Sequence, residues 1–310
     1  LRREPSLRHS VRRALYTFCY RALAPERLIA SLGWLLYGGY QTSRQAWRLG
    51  RCPICGQGGV SLVRAEMSRR YTFPCPHCDG VLYLTDALRL HELVDEEWGA
   101  SEILGYTLTA IEQLLLVHLI RLILRVKPSL LHELLFIKDG PLAFYGPPSA
   151  LQQPMRALVR YLHAHHALYL AGLEKSGGFV EHADAIADLL PAGSLLLLDS
   201  DYVYRYILPG RAHLRQPYGH RTYYGHKLVF KAPSGALYVV TVPTGQVQRH
   251  PALKDYPNLP VVLTNLAKLQ CDMYDSALVP VALVNQLVSL SQHPSTRILQ
   301  RFAKEQVGGS

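Results

Sequence analysis

The stretch His226-Lys227-Leu228-Val229-Phe230-Lys231, then Ala232-Pro233-Ser234-Gly235-Ala236, then Leu237-Tyr238-Val239-Val240-Thr241-Val242 decides the fold class. Two runs rich in Val, Phe and Tyr flank a Pro-Ser-Gly turn, the pattern of an antiparallel hairpin. Working outward, short apolar runs at 134–138, 142–145, 168–172 and 195–198 read as further strands. Helical stretches separate them at 99–126, 149–165 (with Ser149 as its N-cap) and 180–190. Strands alternating with helices, plus one antiparallel hairpin, predict an α/β or α+β protein with a mixed central sheet flanked by helices. Residues 277–289 and 296–304 read as closing helices, and 252–253 and 260–263 give no clear reading.

Toward the N-terminus, residues 8–49 read as helical, with Trp34, Tyr37, Tyr40 and Trp47 set among arginines. Such aromatics either stack on bases or pack on the next module. The net charge of the chain is +10, and the excess lies at one end. Residues 1–70 hold thirteen Arg, no Lys and three Glu, whereas the rest balances at twenty basic against twenty acidic residues. Arg binds phosphate through a planar, always-charged fork, so this asymmetry points to nucleic acid. An acidic protein partner would suit the same charge. No uninterrupted apolar run approaches the roughly 18–20 residues of a bilayer span. The most apolar segment, 114–124, carries His118 and Arg121 and reads as a buried helix, so no membrane is expected as a partner. No secretory signal is visible.

Of six cysteines, four form two matched pairs, Cys52-Pro53-Ile54-Cys55 and Cys75-Pro76-His77-Cys78. Two C-x-x-C knuckles at this separation predict a four-thiolate zinc ribbon. With all four ligands supplied by Cys, the metal holds a fold and leaves no open position for catalysis. Disulfides need an oxidising compartment, of which there is no sign, so a cytoplasmic location is expected. A hairpin of 60–65 with 70–73 is expected between the knuckles. Cys19 and Cys271 read as small buried apolar residues. The domains expected are 1–49, an Arg-rich helical segment; 50–80, the ribbon; and 81–310, a mixed-sheet domain.

Three acids stand out by position. Asp86 ends an expected strand at 81–85, Glu112 lies in the apolar helix, and Asp139 follows an apolar strand and precedes Gly140. Carboxylates held close together stay charged only beside a cation. Hard cations such as Mg²⁺ and Mn²⁺ take oxygen ligands, with water and substrate phosphate filling the shell. Each residue also has a plainer reading: a turn for Asp139-Gly140, a solvated helix face for Glu112, and a helix N-cap for Asp86.

The run Phe136-Ile137-Lys138-Asp139-Gly140-Pro141-Leu142 resembles the strand-and-turn motif of the NurA nuclease family. Glu112 and Asp86 stand in the order of that family's helix Glu and first-strand Asp. Leu170-Ala171-Gly172-Leu173-Glu174-Lys175-Ser176 is similar to its next strand and Lys-bearing loop. Tyr274 matches its C-terminal Tyr, and Asn285 stands where a His is looked for, leaving Asp275 as an alternative ligand. Ala87 follows Asp86 where the family has Gly, and the ribbon is an addition to the family's domain. The resemblance covers roughly residues 81–290. It implies a ribonuclease-H-like fold, a ring-like homodimer and Mn²⁺ or Mg²⁺ held by Asp86, Glu112, Asp139 and a fourth ligand. It also implies roles for Lys175, Tyr274 and Asn285, and DNA cleavage with a HerA-type hexameric ATPase in end resection, repair or antiviral defence.

The segment 218–227, dense in Tyr, His and basic residues, either lines a nucleic-acid channel or packs as a loop. His163, His165 and His166 sit at a helix end, where imidazoles suit the dipole. Two other functions fit: an inactive zinc-ribbon adaptor for DNA or an ATPase, and a transposase-like or resolvase-like nuclease. No Gly-rich phosphate loop is present, so any motor is a separate chain.

Overall fold

The computed structural model describes residues 5–41, 44–97, 99–210, 216–270 and 278–288, without the side chains of 285, 286 and 288. The chain opens with α1 (Leu7–Arg21), capped by the Ser6 hydroxyl accepting from the His9 amide. The helix α2 (Leu28–Leu36) follows and is buried along most of its length. Strands β1 (Ala46–Arg51), β2 (Gly58–Val63), β3 (Thr72–Pro74) and β4 (Val81–Tyr83) come next. Here the expected hairpin of 60–65 with 70–73 does not form: β1 pairs with β2, and β3 with β4. The reason lies in the knuckles, each of which is itself the turn of a hairpin. Cys52 N donates to Gln57 O at 2.8 Å, and Cys75 N to Gly80 O at 2.9 Å. The paired strands therefore cross the expected boundaries at 49/50 and 80/81.

The strand expected to end at Asp86 stops at Tyr83. Asp86 lies instead in a 3-10 turn, Leu84–Leu88, followed by a second turn, Leu90–Leu93. Next comes α3 (Ile103–Val126), which ends two residues before Pro128, whose ring disfavours helix at Lys127. Then follow β5 (Leu135–Asp139), α4 (Gln152–His165), β6 (Tyr169–Glu174), α5 (Gly178–Ala185), β7 (Leu195–Leu197), the helical turn α6 (Ser200–Tyr202), β8 (Gly225–Lys231), β9 (Leu237–Pro243), α7 (Leu259–Lys268) and α8 (Val279–Val288). Ser149 does not cap α4, because Pro147 and Pro148 begin a 3-10 turn that feeds the helix at Gln152. The helix expected at 296–304 lies outside the described residues.

The central sheet has the order β5-β6-β9-β8-β7. β5 and β6 are parallel, and every other pairing is antiparallel. The β8–β9 hairpin forms as expected, and its register sets Lys231 opposite Leu237 and His226 opposite Val242. The fold is thus mixed α/β. Strand alternation divides the sheet's two faces. Ala171, Leu173, Leu228, Phe230 and Val240 pack with Leu259, Val262 and Leu266 of α7. On the other face, Val229 and Val239 pack with Phe179 of α5, and Leu170 joins the main core. That main core is continuous from α2 through Cys52, Cys75 and Leu82 to Leu114 of α3 and Leu158 of α4. The ribbon is therefore built into the protein's largest apolar cluster.

The helix α3 corrects one expectation. It is 24 residues long, and its most apolar window has a mean hydropathy of 1.7, enough to cross a membrane by length and composition. A third of that window is buried in the protein. Glu112 and Arg121 break the apolar run in the sequence without lowering its average far.

Candidate functional site

The four ribbon cysteines converge. Their sulfur atoms all lie within 4.8 Å of one another, and they are the one group of three or more His, Cys, Asp or Glu among the described residues that can hold a metal ion. A tetrahedral ion with metal–sulfur bonds of about 2.3 Å needs sulfurs about 3.8 Å apart, so the set fits an ion such as zinc. The Ile54 and Cys55 amides point at Cys52 Sγ at 3.3 and 3.4 Å, and the His77 amide at Cys75 Sγ at 3.5 Å. Burial opposes the thiolate at Cys75, yet the His77 amide and neighbouring thiols outweigh it and bring that thiol down to about 7. Its neighbours in the cluster shift the other way, Cys52 mainly through burial and Cys78 through burial and the other thiols.

The three acids singled out in the sequence do not converge. Asp86 is 1% exposed. Its carboxylate accepts from Arg12 Nε at 2.9 Å, Arg12 Nη2 at 2.7 Å and the Tyr83 amide at 2.8 Å. Burial pulls the Arg12 guanidinium down, and the bond to Asp86 more than restores it, leaving it raised. This is a closed, neutralised pair that pins α1 to the turn after β4.

Glu112 and Asp139 meet at the carboxyl end of β5. Lys138 Nζ is 3.0 Å from Glu112 Oε2 and donates to the Asp139 carbonyl at 2.8 Å. Lys175 Nζ donates to Asp139 Oδ2 at 2.9 Å. Consecutive residues of a strand point to opposite faces. Lys138 accordingly turns toward α3 and Glu112, while Asp139 shares its parity with Ile137 on the α7 side. That alternation is why the two carboxylates straddle the sheet edge, each held by its own lysine. Both are half exposed, at 53% for Glu112 and 52% for Asp139. The turn is held close: Gly140 N donates to Leu173 O at 2.6 Å. A Cβ on Gly172 would come within 2.7 Å of Gly140 O, so β6 needs glycine there.

Beneath this edge lies a buried pair that sequence reasoning missed. Lys227 Nζ reaches the two Glu174 oxygens at 2.7 and 2.9 Å and sits 3.5 Å from the centre of the Phe179 ring. Burial lowers the Lys227 ammonium, and Glu174 opposes that shift. Tyr145 and Tyr223 join hydroxyls at 2.7 Å nearby. Lys138 was missed too. The available signal was two oppositely charged dipeptides, Lys138-Asp139 and Glu174-Lys175, ending neighbouring strands.

The segment 218–227 is a packed loop to Tyr224 that enters β8 at Gly225. Arg156 donates to the carbonyls of His220 (2.8 Å) and Tyr223, and Tyr224 is fully buried with its hydroxyl on Gln113 Oε1 at 2.5 Å. Its His226 is buried and driven down to about 4 by desolvation. His163 is driven to about 4 by burial as well, and the group of His163, His165 and His166 holds no metal cluster among the described residues. Tyr274, Asp275 and Cys271 lie outside the described residues, as does the Asn285 side chain, whereas Cys19 is buried as expected. No family model, curated protein or solved structure matches this chain, so its function is read from the chemistry of its own sites.

Proposed function

We propose that this chain is a divalent-metal-dependent DNA nuclease of the NurA type, with a structural zinc in its four-cysteine ribbon. The observation that carries the reading is the group Glu112, Lys138, Asp139 and Lys175 at the carboxyl ends of two parallel strands. Ligands of open α/β sheets bind at such ends. Asp139 offers a half-exposed carboxylate to a hard cation whose shell is completed by water and phosphate, with Glu112 on the other side of the strand end, while Asp86 does not fit, because Arg12 and the Tyr83 amide occupy both of its oxygens. Bound there, Mg²⁺ or Mn²⁺ supplies an activated water and offsets charge on the phosphate. Lys175 and Lys138 draw a phosphodiester to the edge and hold it, exchanging their carboxylate partners for phosphate oxygens. The Glu174–Lys227 pair beneath fixes the strand that carries Lys175. The ribonuclease-H-like fold, a role for Tyr274, Asp275 or Asn285, a HerA-type ATPase partner and a cytoplasmic role in repair or defence belong to the same proposal.

A homodimer belongs to it as well. Leu108, Glu112, Leu115, Leu119, Leu122 and Val126 follow one another at spacings of four and three along α3, the seam of a coiled coil. Leu108, Leu115, Leu119 and Val126 are exposed on it.

The test is cleavage of linear single- and double-stranded DNA with Mn²⁺, beside Asp139→Ala and a chelator control. Metal-dependent cutting that falls at least a hundredfold in the variant is the expected outcome. Cutting by Asp139→Ala at the parent rate would sink the assignment. The Asp86–Arg12 pair favours a second reading, an inactive adaptor that keeps the ribbon and has lost a three-carboxylate site. A parent that stays silent even with the ATPase present would establish that reading instead.

A further inference from the structure

Beside the first knuckle lies an open cavity of about 820 Å³, walled by α1, the β1 end, the knuckle and the 3-10 turns after β4. Arg8, Arg51 and Arg89 face it, against one carboxylate, Glu92. Glu92 is committed to Arg89, accepting both of that guanidinium's bonds at 2.7 Å. Arg8 gives Nη2 to the Val94 carbonyl at 3.2 Å and lines the cavity. The Arg51 side chain makes no hydrogen bond or ion pair among the described residues.

The backbone places Arg51 there on purpose of geometry. Register shifts flank Gly50 in the β1–β2 pairing. In a regular strand Arg51 would share the inward parity of the buried Leu49, but the bulge turns Gly50 and Arg51 outward together. The cavity wall is also bare. Gly50 and Gly56 have φ of +87° and +74°, and a Cβ on either would meet nothing within 4 Å. A ligand can therefore approach the main chain closely. Pro53 and Ile54, at the knuckle tip, add an apolar flank beside the guanidinium groups.

We propose that this cavity binds a nucleotide unit of a single-stranded nucleic acid, its phosphate held by Arg51 and Arg8 and its sugar and base laid on Pro53 and Ile54. Guanidinium forks suit phosphate oxygens. The apolar tip next to them suits the remainder of a nucleotide better than the side chain of an acidic peptide. The ribbon thus gains a strand-holding function, remote in the chain from the carboxylate edge. The inference rests on the nucleic-acid reading of the protein and is independent of cleavage.

The experiment uses the full zinc-loaded chain without Mn²⁺ and measures binding of a labelled oligothymidylate across salt, with zinc content determined for each variant. Arg51→Ala is expected to weaken binding roughly fivefold and to reduce the log–log salt slope by about 0.7, one single-strand phosphate contact. Glu92→Gln is expected to tighten binding, a change that damaged folding would not produce. Unchanged affinity and slope in Arg51→Ala with zinc retained would overturn the site. So would zinc loss in that variant together with no effect of Glu92→Gln, since Arg51 would then serve the thiolates. A poly-glutamate peptide that binds through Arg51 when the oligothymidylate does not would also overturn it. A parent that binds through Arg51 but never cleaves would sink the nuclease reading alone.

Discussion

Asp86 and Asp139 are the same residue type in two opposed environments. Asp86 is buried against Arg12, and removing one partner of such a pair leaves the other charge stranded. Asp86→Ala should therefore cost about 3–5 kcal/mol of folding stability. Asp139 is half exposed on Lys175, and a solvated pair of that kind contributes little. Asp139→Ala should shift stability by no more than about 0.5 kcal/mol. Urea denaturation of the two variants checks this, and equal losses would show that Asp139 is structural. The sequence showed Asp139 as a strand-end acid because an apolar run and Gly140 bracket it. It could not separate Asp86 from Asp139, because the residue that neutralises Asp86 lies 74 positions away in α1.

At the scale of elements, the ribbon is tied in more firmly than a separate module would be. Cys52 and Cys75 are core residues packed in one cluster with α2 and Leu114 of α3. Stripping the metal should loosen that cluster as well as the knuckles. A strong chelator is expected to release a single zinc per chain and to lower Tm by roughly 10 °C or more, since structural zinc contributes several kcal/mol and each kcal/mol moves Tm by about 2–4 °C. Thermal unfolding with and without chelator reads this directly, and an unchanged Tm would show that the thiolates hold no structural ion. The C-x-x-C spacing made the four-cysteine set legible because two thiols on one knuckle is a local geometry. The strand partners were not legible, since a hairpin between the knuckles and a hairpin around each knuckle satisfy the same alternation of residues.

At the scale of the whole molecule, the exposed apolar face of α3 is the feature that asks for an assembly. Leu108, at 61% exposed, and Leu119, at 49%, leave apolar area in water along one seam. The parent is expected to sediment as a dimer, and Leu115→Glu with Leu119→Glu as a monomer with an unchanged far-ultraviolet spectrum. A parent that sediments as a monomer would remove the dimer from the proposal. The sequence by itself determined the mixed α/β class, the β8–β9 hairpin and the four cysteines that gather as a candidate metal site. Each of these follows from periodicity, turn residues or spacing within a short window, and so from interactions between near neighbours in the chain. Only the tertiary structure decided that Asp86 belongs to Arg12, that Glu112 and Asp139 straddle one sheet edge with Lys138 and Lys175, and that a bulge opens Arg51 onto a cavity. Those outcomes depend on which distant segment supplies the opposing charge and on which face of a strand a side chain leaves, and chain folding in three dimensions sets both.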